Sequence, residues 1–287
     1  MTTREQPRWR PRLVASDLDG TLLGPDRALS SRTRAAIAAI AAAGVPFVAV
    51  TGRAPRSLEP LEGAAVDPVV VCANGAVTWD RHAGRAVTTH LLDAATALES
   101  LDRLRRDLPG LTVAVERPDG TLGHEPGYHP SRPWPGSPRP LPELVAGGVL
   151  KVVVHQDGAG SDALRAAAHR LVGDLVTVTA SASGPFVEIG PAGVDKATGL
   201  AAVAAGLGVG AADVVAFGDM PNDLSMLRWA GHGVAVANAH PEVLRAADEV
   251  TGHHADDGVA AWLESRFGTW TLAGAATRSP SWTRPRP

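Results

Sequence analysis

The apolar run Leu13-Val14-Ala15-Ser16 delivers two acids, Asp17 and Asp19, one residue apart and followed by Gly20. Carboxylates at the end of a buried strand are costly unless something pairs with them. A second acidic set, Asp219, Asn222 and Asp223, follows another apolar run, Val214-Val215-Ala216-Phe217. Thr51-Gly52 closes the run Pro46–Val50, Asn74 closes Val69–Cys72, and Lys196 opens a helical pattern. Open parallel sheets bind their ligands outside the carboxyl ends of the strands, where all these residues fall. Several acids beside a single lysine repel one another, and a hard divalent ion removes the conflict. Mg²⁺ prefers carboxylate, carbonyl and water oxygens and commonly bridges to a phosphate. Acid pair, hydroxyl, amide and ammonium together suit a phosphoryl group. The metal and Lys196 would offset its charge, while Thr51 and Asn74 would donate hydrogen bonds.

The elements that must position these groups follow from punctuation and periodicity. Ser30 or Ser31 caps a helix whose buried face carries Ile37 and Ile40, and Gly44 ends it. Strands alternating with such helices predict a parallel sheet covered on both faces. After Gly75 the rhythm changes. A hairpin is expected around Arg81–Arg85, then a helix from Asp93 to Leu108, strands over Leu111–Glu116, Leu150–His155 and Leu175–Ala180, and a helix over Ser161–Val172. Arg117–Pro142, rich in Pro and Gly, reads as an irregular loop. The first rhythm resumes with a helix over Lys196–Leu207 and ends with one over Asp257–Phe267. The expectation is an α/β fold: a Rossmann-like, doubly wound core over residues 13–76 and 188–267, with an inserted α/β (α+β) cap over 77–187. Residues 1–12 and 268–287 read as flexible ends.

Bulk properties narrow the function classes. The chain has 287 residues, 45% hydrophobic and 20% charged, enough for a substantial core. A net charge of −3 gives no broad basic field for nucleic acid or a membrane surface. Ala35–Val50, the longest uncharged apolar stretch, is short for a membrane span and broken by Gly44-Val45-Pro46. No apolar segment follows the basic N-terminus, so no signal peptide is read. With Cys72 as its one cysteine, the chain cannot form an intrachain disulfide, which favours a reducing cytoplasm.

The motifs DLDGT (17–21), TGR (51–53), NG (74–75), GVDKATGL (193–200) and GDMPND (218–223) resemble those of the haloacid dehalogenase-type phosphatases. Their order, and the insertion after NG, look like the Cof-like class IIB branch, and the similarity spans Leu13 to Phe267. The resemblance implies that Asp17 is a nucleophile forming an aspartyl-phosphate, and that Asp19 is the general acid and then the base. It implies a Mg²⁺ held by Asp17, Asp219 and the backbone carbonyl of Asp19. Thr51, Gly52 and Lys196 would sit on the phosphoryl group, Asn222 on that group or on the metal's water shell, Asn74 near substrate, and Asp223 beside Lys196 or the metal's waters. Gly20 would permit the sharp turn beside the acid pair.

The implied activity is hydrolysis of a small phosphomonoester, a sugar phosphate among the candidates. Phosphoryl transfer to a second hydroxyl, as in a mutase, and a non-catalytic binder of metal and phosphate are the alternatives the same site allows. His253-His254 with Asp256-Asp257 reads as a polar loop capping the last helix rather than a metal site. Cys72 reads as core, and Arg103, Arg105 and Arg106 as a solvated helix face. Tyr128, His129, Arg132 and Trp134 lie in the Pro-rich stretch, read as a surface loop, with contact to the leaving group as the alternative.

Overall fold

The structure, a computed structural model, describes residues 9–128 and 137–268. The core begins with β1 (Leu13–Ser16), α1 (Ser31–Ala42), β2 (Phe47–Ala49) and β3 (Val69–Cys72), then the hairpin β4 (Val77–Asp80) and β5 (Arg85–Thr89). An inserted unit follows: α2 (Ala94–Asp107), β6 (Thr112–Glu116), β7 (Leu122–His124), α3 (Leu141–Val145), β8 (Lys151–His155), α4 (Ser161–Val172), β9 (Val176–Thr179) and β10 (Phe186–Pro191). The chain then returns to the core through α5 (Lys196–Gly206), β11 (Val214–Gly218), α6 (Leu224–Trp229), β12 (His232–Val236), α7 (Pro241–Ala246), β13 (Glu249–Thr251) and α8 (Gly258–Phe267).

The core sheet is parallel, in the order β13-β12-β11-β1-β2. From β1 the chain runs outward to β2, and from β11 it runs the opposite way to β12 and β13. The strand order therefore reverses between β1 and β11, and a crevice opens at their carboxyl ends. The buried strands read as unbroken apolar runs because helices cover the sheet: α1 packs on α8, and α5 on α6. Helix α1 is capped by Ser30, whose hydroxyl accepts from the Thr33 amide.

The boundaries of the insertion differ from the expectation at both ends. The β4–β5 hairpin, placed in the cap by the sequence, pairs antiparallel with β3 and joins the core through a parallel bridge between Val50 and Val71. Val77 packs in the core cluster with Cys72, and Trp79 lies against it. At the other end, β10 pairs with β8 and β9, so the strand containing Glu188 belongs to the inserted sheet. Alternation of apolar residues marks a strand without naming its partner, and both differences arise there.

The inserted sheet has the order β7-β6-β8-β10-β9. One face, with Val113, Val115, Val152, Val154, Val187 and Ile189, packs with Leu101, Leu104, Leu144 and Leu164 of the helices. The opposite face carries Ala114, Glu116, Lys151, Val153 and Glu188. Arg117–Pro142 is less irregular than expected, since β7 lies within it and α3 begins at its end. Tyr128 is buried with Ala114 and Val153 on the second face. His129, Arg132 and Trp134 lie outside the described residues. Among the described residues, no helix is long and apolar enough to cross a membrane.

Candidate active site

The crevice between β1 and β11 collects the acids. The Asp17 amide donates to Phe217 O at 2.9 Å, which ties the end of β1 to the end of β11. Carboxylate oxygens of Asp17, Asp219 and Asp223 lie within 4.8 Å of one another, all three buried. Lys196, the first residue of α5, is fully buried and places Nζ 2.5 Å from Asp17 Oδ1 and 2.6 Å from Asp223 Oδ1. Asp195 fixes the start of that helix by a capping box with Thr198. Gly75, at φ +98, lets the 73–75 turn lie on this helix start, because a Cβ there would run into the Asp195 carbonyl.

Each acid has a distinct set of contacts. Asp223 Oδ2 accepts from the amides of Asp219 and Met220, so both its oxygens are committed. Asp219 Oδ1 accepts from the Thr21 hydroxyl at 2.8 Å. Its Oδ2 lies against Gly20, where φ is +80 and a Cβ would collide with it. Asn238 Nδ2 donates to Gly20 O at 2.8 Å and holds this turn. Asp19 lines the same crevice but stands outside the cluster of three carboxylates. Arg53 clasps it through Nε at 2.6 Å and Nη2 at 2.7 Å, and Arg27 adds a contact from outside.

Three carboxylates surround one ammonium, and the surplus negative charge appears in the titration of two of them. Burial, then Asp223 and Asp219, push the Asp17 carboxyl well above the carboxylate range despite Lys196. Burial and Asp223 raise Asp219 to about 7. Burial opposes the charge on Lys196, yet Asp17 and Asp223 outweigh it and keep the ammonium. Burial acts on Asp19 as well, but Arg53 and Arg27 hold its carboxyl below the ordinary value. A divalent cation fits this nest. It would supply the missing positive charge among hard oxygen donors. Asn222 Oδ1, buried and without a hydrogen-bond partner among the described residues, would accept from a water on such an ion.

Thr51 is buried, and its amide donates to Val71 O at 2.8 Å. Its hydroxyl oxygen accepts the Arg53 amide at 3.0 Å, which fixes the side chain at the crevice. Asn74 adopts the left-handed conformation. Its carboxamide is already committed: Oδ1 accepts from Asn222 Nδ2 at 3.0 Å, and Nδ2 donates to Glu188 Oε2 at 2.8 Å. Asn74 thus links the acidic motif to the inserted sheet. A cleft of about 380 Å³ opens from Asp17, Asp19, Thr51, Gly52 and Asn222 toward Glu116, Lys151 and Glu188.

Several of these groups were not assigned from sequence. Arg53 stands in the quoted TGR motif without a role. Glu116, Lys151 and Glu188 interrupt apolar strands, and such interruptions are the signal that could have found them. The cap read at Asp256 or Asp257 is not made by a side chain. Asp257 is at the N-cap position of α8, but its carboxylate accepts from Ser30 and Thr33 at the start of α1. Cys72 is fully buried, and burial pushes its thiol upward.

The sequence pattern of the family described as haloacid dehalogenase-like hydrolase matches residues 14–263. A 5-amino-6-(5-phospho-D-ribitylamino)uracil phosphatase of Bacillus subtilis is 27% identical, covering 88% of this chain and 96% of the relative. The pyridoxal phosphate phosphatase of Escherichia coli is 28% identical, covering 89% and 98%. A solved phosphatase of the same superfamily from Bacteroides thetaiotaomicron superposes with a TM-score of 0.76 at 25% identity, over 93% of this chain and 98% of that one. The chain therefore belongs to the haloacid dehalogenase-like hydrolases, in their Cof-like class IIB branch, and is an enzyme of phosphatase type acting on small phosphorylated molecules.

Proposed function

We propose that this enzyme hydrolyses a small phosphomonoester in two steps with Mg²⁺ bound. Asp17 attacks phosphorus, the bond to the leaving oxygen breaks, and Asp19 gives that oxygen a proton. Asp19 then takes a proton from water, whose oxygen attacks phosphorus and releases inorganic phosphate and free Asp17. Asp17, Asp219 and the backbone carbonyl of Asp19 would hold the ion, which neutralises charge on the transferring group. Lys196, Thr51 with Gly52, and Asn222 bind the phosphoryl oxygens, and Asp223 keeps Lys196 aimed at Asp17. Asn74 positions Asn222.

Arg53 clasps Asp19 as a carboxylate, which suits the second step, where it must accept a proton. In the first step Asp19 arrives protonated and gives up part of that clasp. The observation that carries the reading is the meeting of Asp17, Asp219 and Lys196 from three distant segments at one sheet edge. Nothing in their contacts favours a mutase or a silent binder.

The test is phosphate release over a panel of phosphate esters with Mg²⁺ added. Release should stop on chelation and in Asp17→Asn, and rapid acid quench should trap phosphate on Asp17 by mass spectrometry. Turnover by Asp17→Asn at the unaltered rate, or phosphate appearing on a second alcohol instead of in solution, would overturn it.

A further inference from the structure

Opposite the phosphoryl site, the inserted sheet presents charges where a simple lid would present apolar residues. Glu116 and Lys151 face each other across the β6–β8 ladder, and Glu188 lies on the next strand, β10. All three side chains are nearly or fully buried. Lys151 Nζ donates to Glu188 Oε1 at 2.6 Å and, across the seam, to Gly52 O at 2.9 Å. Glu188 Oε2 takes the Asn74 amide. Arg56, from the core, meets Glu116 Oε1 at 2.5 Å.

A buried ionic cluster is poor value as packing. Well-fitted apolar residues in its place are often equally or more stabilising, so its retention asks for another reason. The cluster also carries no net charge, with two carboxylates against one ammonium and one guanidinium. Its members are unequally satisfied. Lys151 and Glu188 have their hydrogen bonds, whereas Glu116 Oε1 is buried, touches Arg56 as an ion pair and makes no hydrogen bond among the described residues. Arg56 is about one-third exposed and lines the same cleft. A carboxylate acceptor beside a guanidinium donor pairs with two neighbouring hydroxyls, one donating to Glu116 and one accepting from Arg56. The described residues lining the cleft include no aromatic ring on which a planar base could stack.

We infer that Glu116 and Arg56 are the specificity-determining pair of the cleft, and that they select an uncharged, polyhydroxylated leaving group, a polyol or sugar carrying the phosphate. This rests on the phosphatase reading above. Lys151 and Glu188 are the brace that keeps Glu116 in place over Gly52.

The test compares kcat/KM for polyol and hexose phosphates with that for 4-nitrophenyl phosphate, pyridoxal phosphate and flavin mononucleotide, all with Mg²⁺. The intact enzyme should prefer a polyhydroxylated ester at least tenfold. In Glu116→Gln the preference, taken as the ratio to 4-nitrophenyl phosphate, should fall about 10–100-fold, mostly through KM. Arg56→Gln, at a partly exposed position that folding tolerates, should lower the same ratio. A deoxy analogue lacking the hydroxyl that Glu116 accepts should show no further loss in Glu116→Gln. Preference for a planar aromatic ester, or an unchanged ratio in both variants, overturns the pair while leaving the phosphatase reading intact. Failure of the intact enzyme to release phosphate from any ester overturns both.

Discussion

At the scale of single residues, the site is governed by surplus negative charge and by space denied to side chains. Asp219 titrates at about 7 in the fold against an ordinary 3.8. The native state then binds that proton more tightly than the unfolded chain does. Its contribution to stability is complete below about pH 4 and is lost as pH rises through 7. The metal-free protein should therefore melt at a lower temperature at pH 8 than at pH 5.5, and saturating Mg²⁺ should recover most at the higher pH. Differential scanning fluorimetry with and without chelator reads this, and a melting temperature rising with pH in the metal-free form would contradict it. Gly20 offers a sharper test. In Gly20→Ala the left-handed backbone costs about 1–2 kcal/mol. The new methyl also presses on Asp219. Stability should drop modestly while Mg²⁺-dependent turnover drops 100-fold or more, because the displaced carboxylate is a proposed metal ligand. A stability loss with undiminished turnover would remove Asp219 from that role.

At the scale of elements, the catalytic groups are held by strand ends and one helix start. Lys196 depends on where α5 begins, and that point is set by the Asp195 capping box. Removing the cap in Asp195→Ala should cost about 1 kcal/mol. That is about 2–4 °C in melting temperature for a chain of this size. Turnover should fall by more than this loss predicts, since fraying at the first residue releases the ammonium from Asp17 and Asp223. Equal turnover in folded mutant and parent would show that Lys196 is held by its own ion pairs alone. The inserted sheet works by the same alternation. One face supplies apolar packing for α2, α3 and α4, which frees the other face to carry Glu116, Lys151 and Glu188.

At the scale of the whole molecule, few polar contacts among the described residues join the two units away from the cleft. Arg165 of α4 reaches Glu242 of α7 at 2.6 Å, and His240 meets Asp162 at 3.0 Å. Both pairs retain solvent exposure, so each is worth about 0–1 kcal/mol. Arg165→Ala should barely change the melting temperature, yet it should increase amide exchange along α4 as the units part more often. Unaltered exchange there would mean that the Lys151–Gly52 and Asn222–Ala180 contacts, at 2.9 and 3.2 Å, hold the two units together by themselves.

The alternation of strands and helices in the core, the run of DLDGT, TGR and GDMPND, and the placing of Asp17, Thr51, Lys196 and Asp219 at one rim of the sheet were legible in the chain itself. Local apolar runs, caps and breakers determine elements, and a parallel sheet leaves its carboxyl ends on one side. Which strands pair lies beyond that reading. Val77–Asp80 joined the core and Phe186–Pro191 joined the insertion because pairing is chosen by burial across the whole fold. Partner choice for charges was hidden for the same reason. Nothing local to Asp19 shows that Arg53 clasps it, and nothing local to Glu116 shows that Lys151 and Arg56 lie beside it. Those contacts join residues from 34 to 60 positions apart, and only the folded chain brings them within reach.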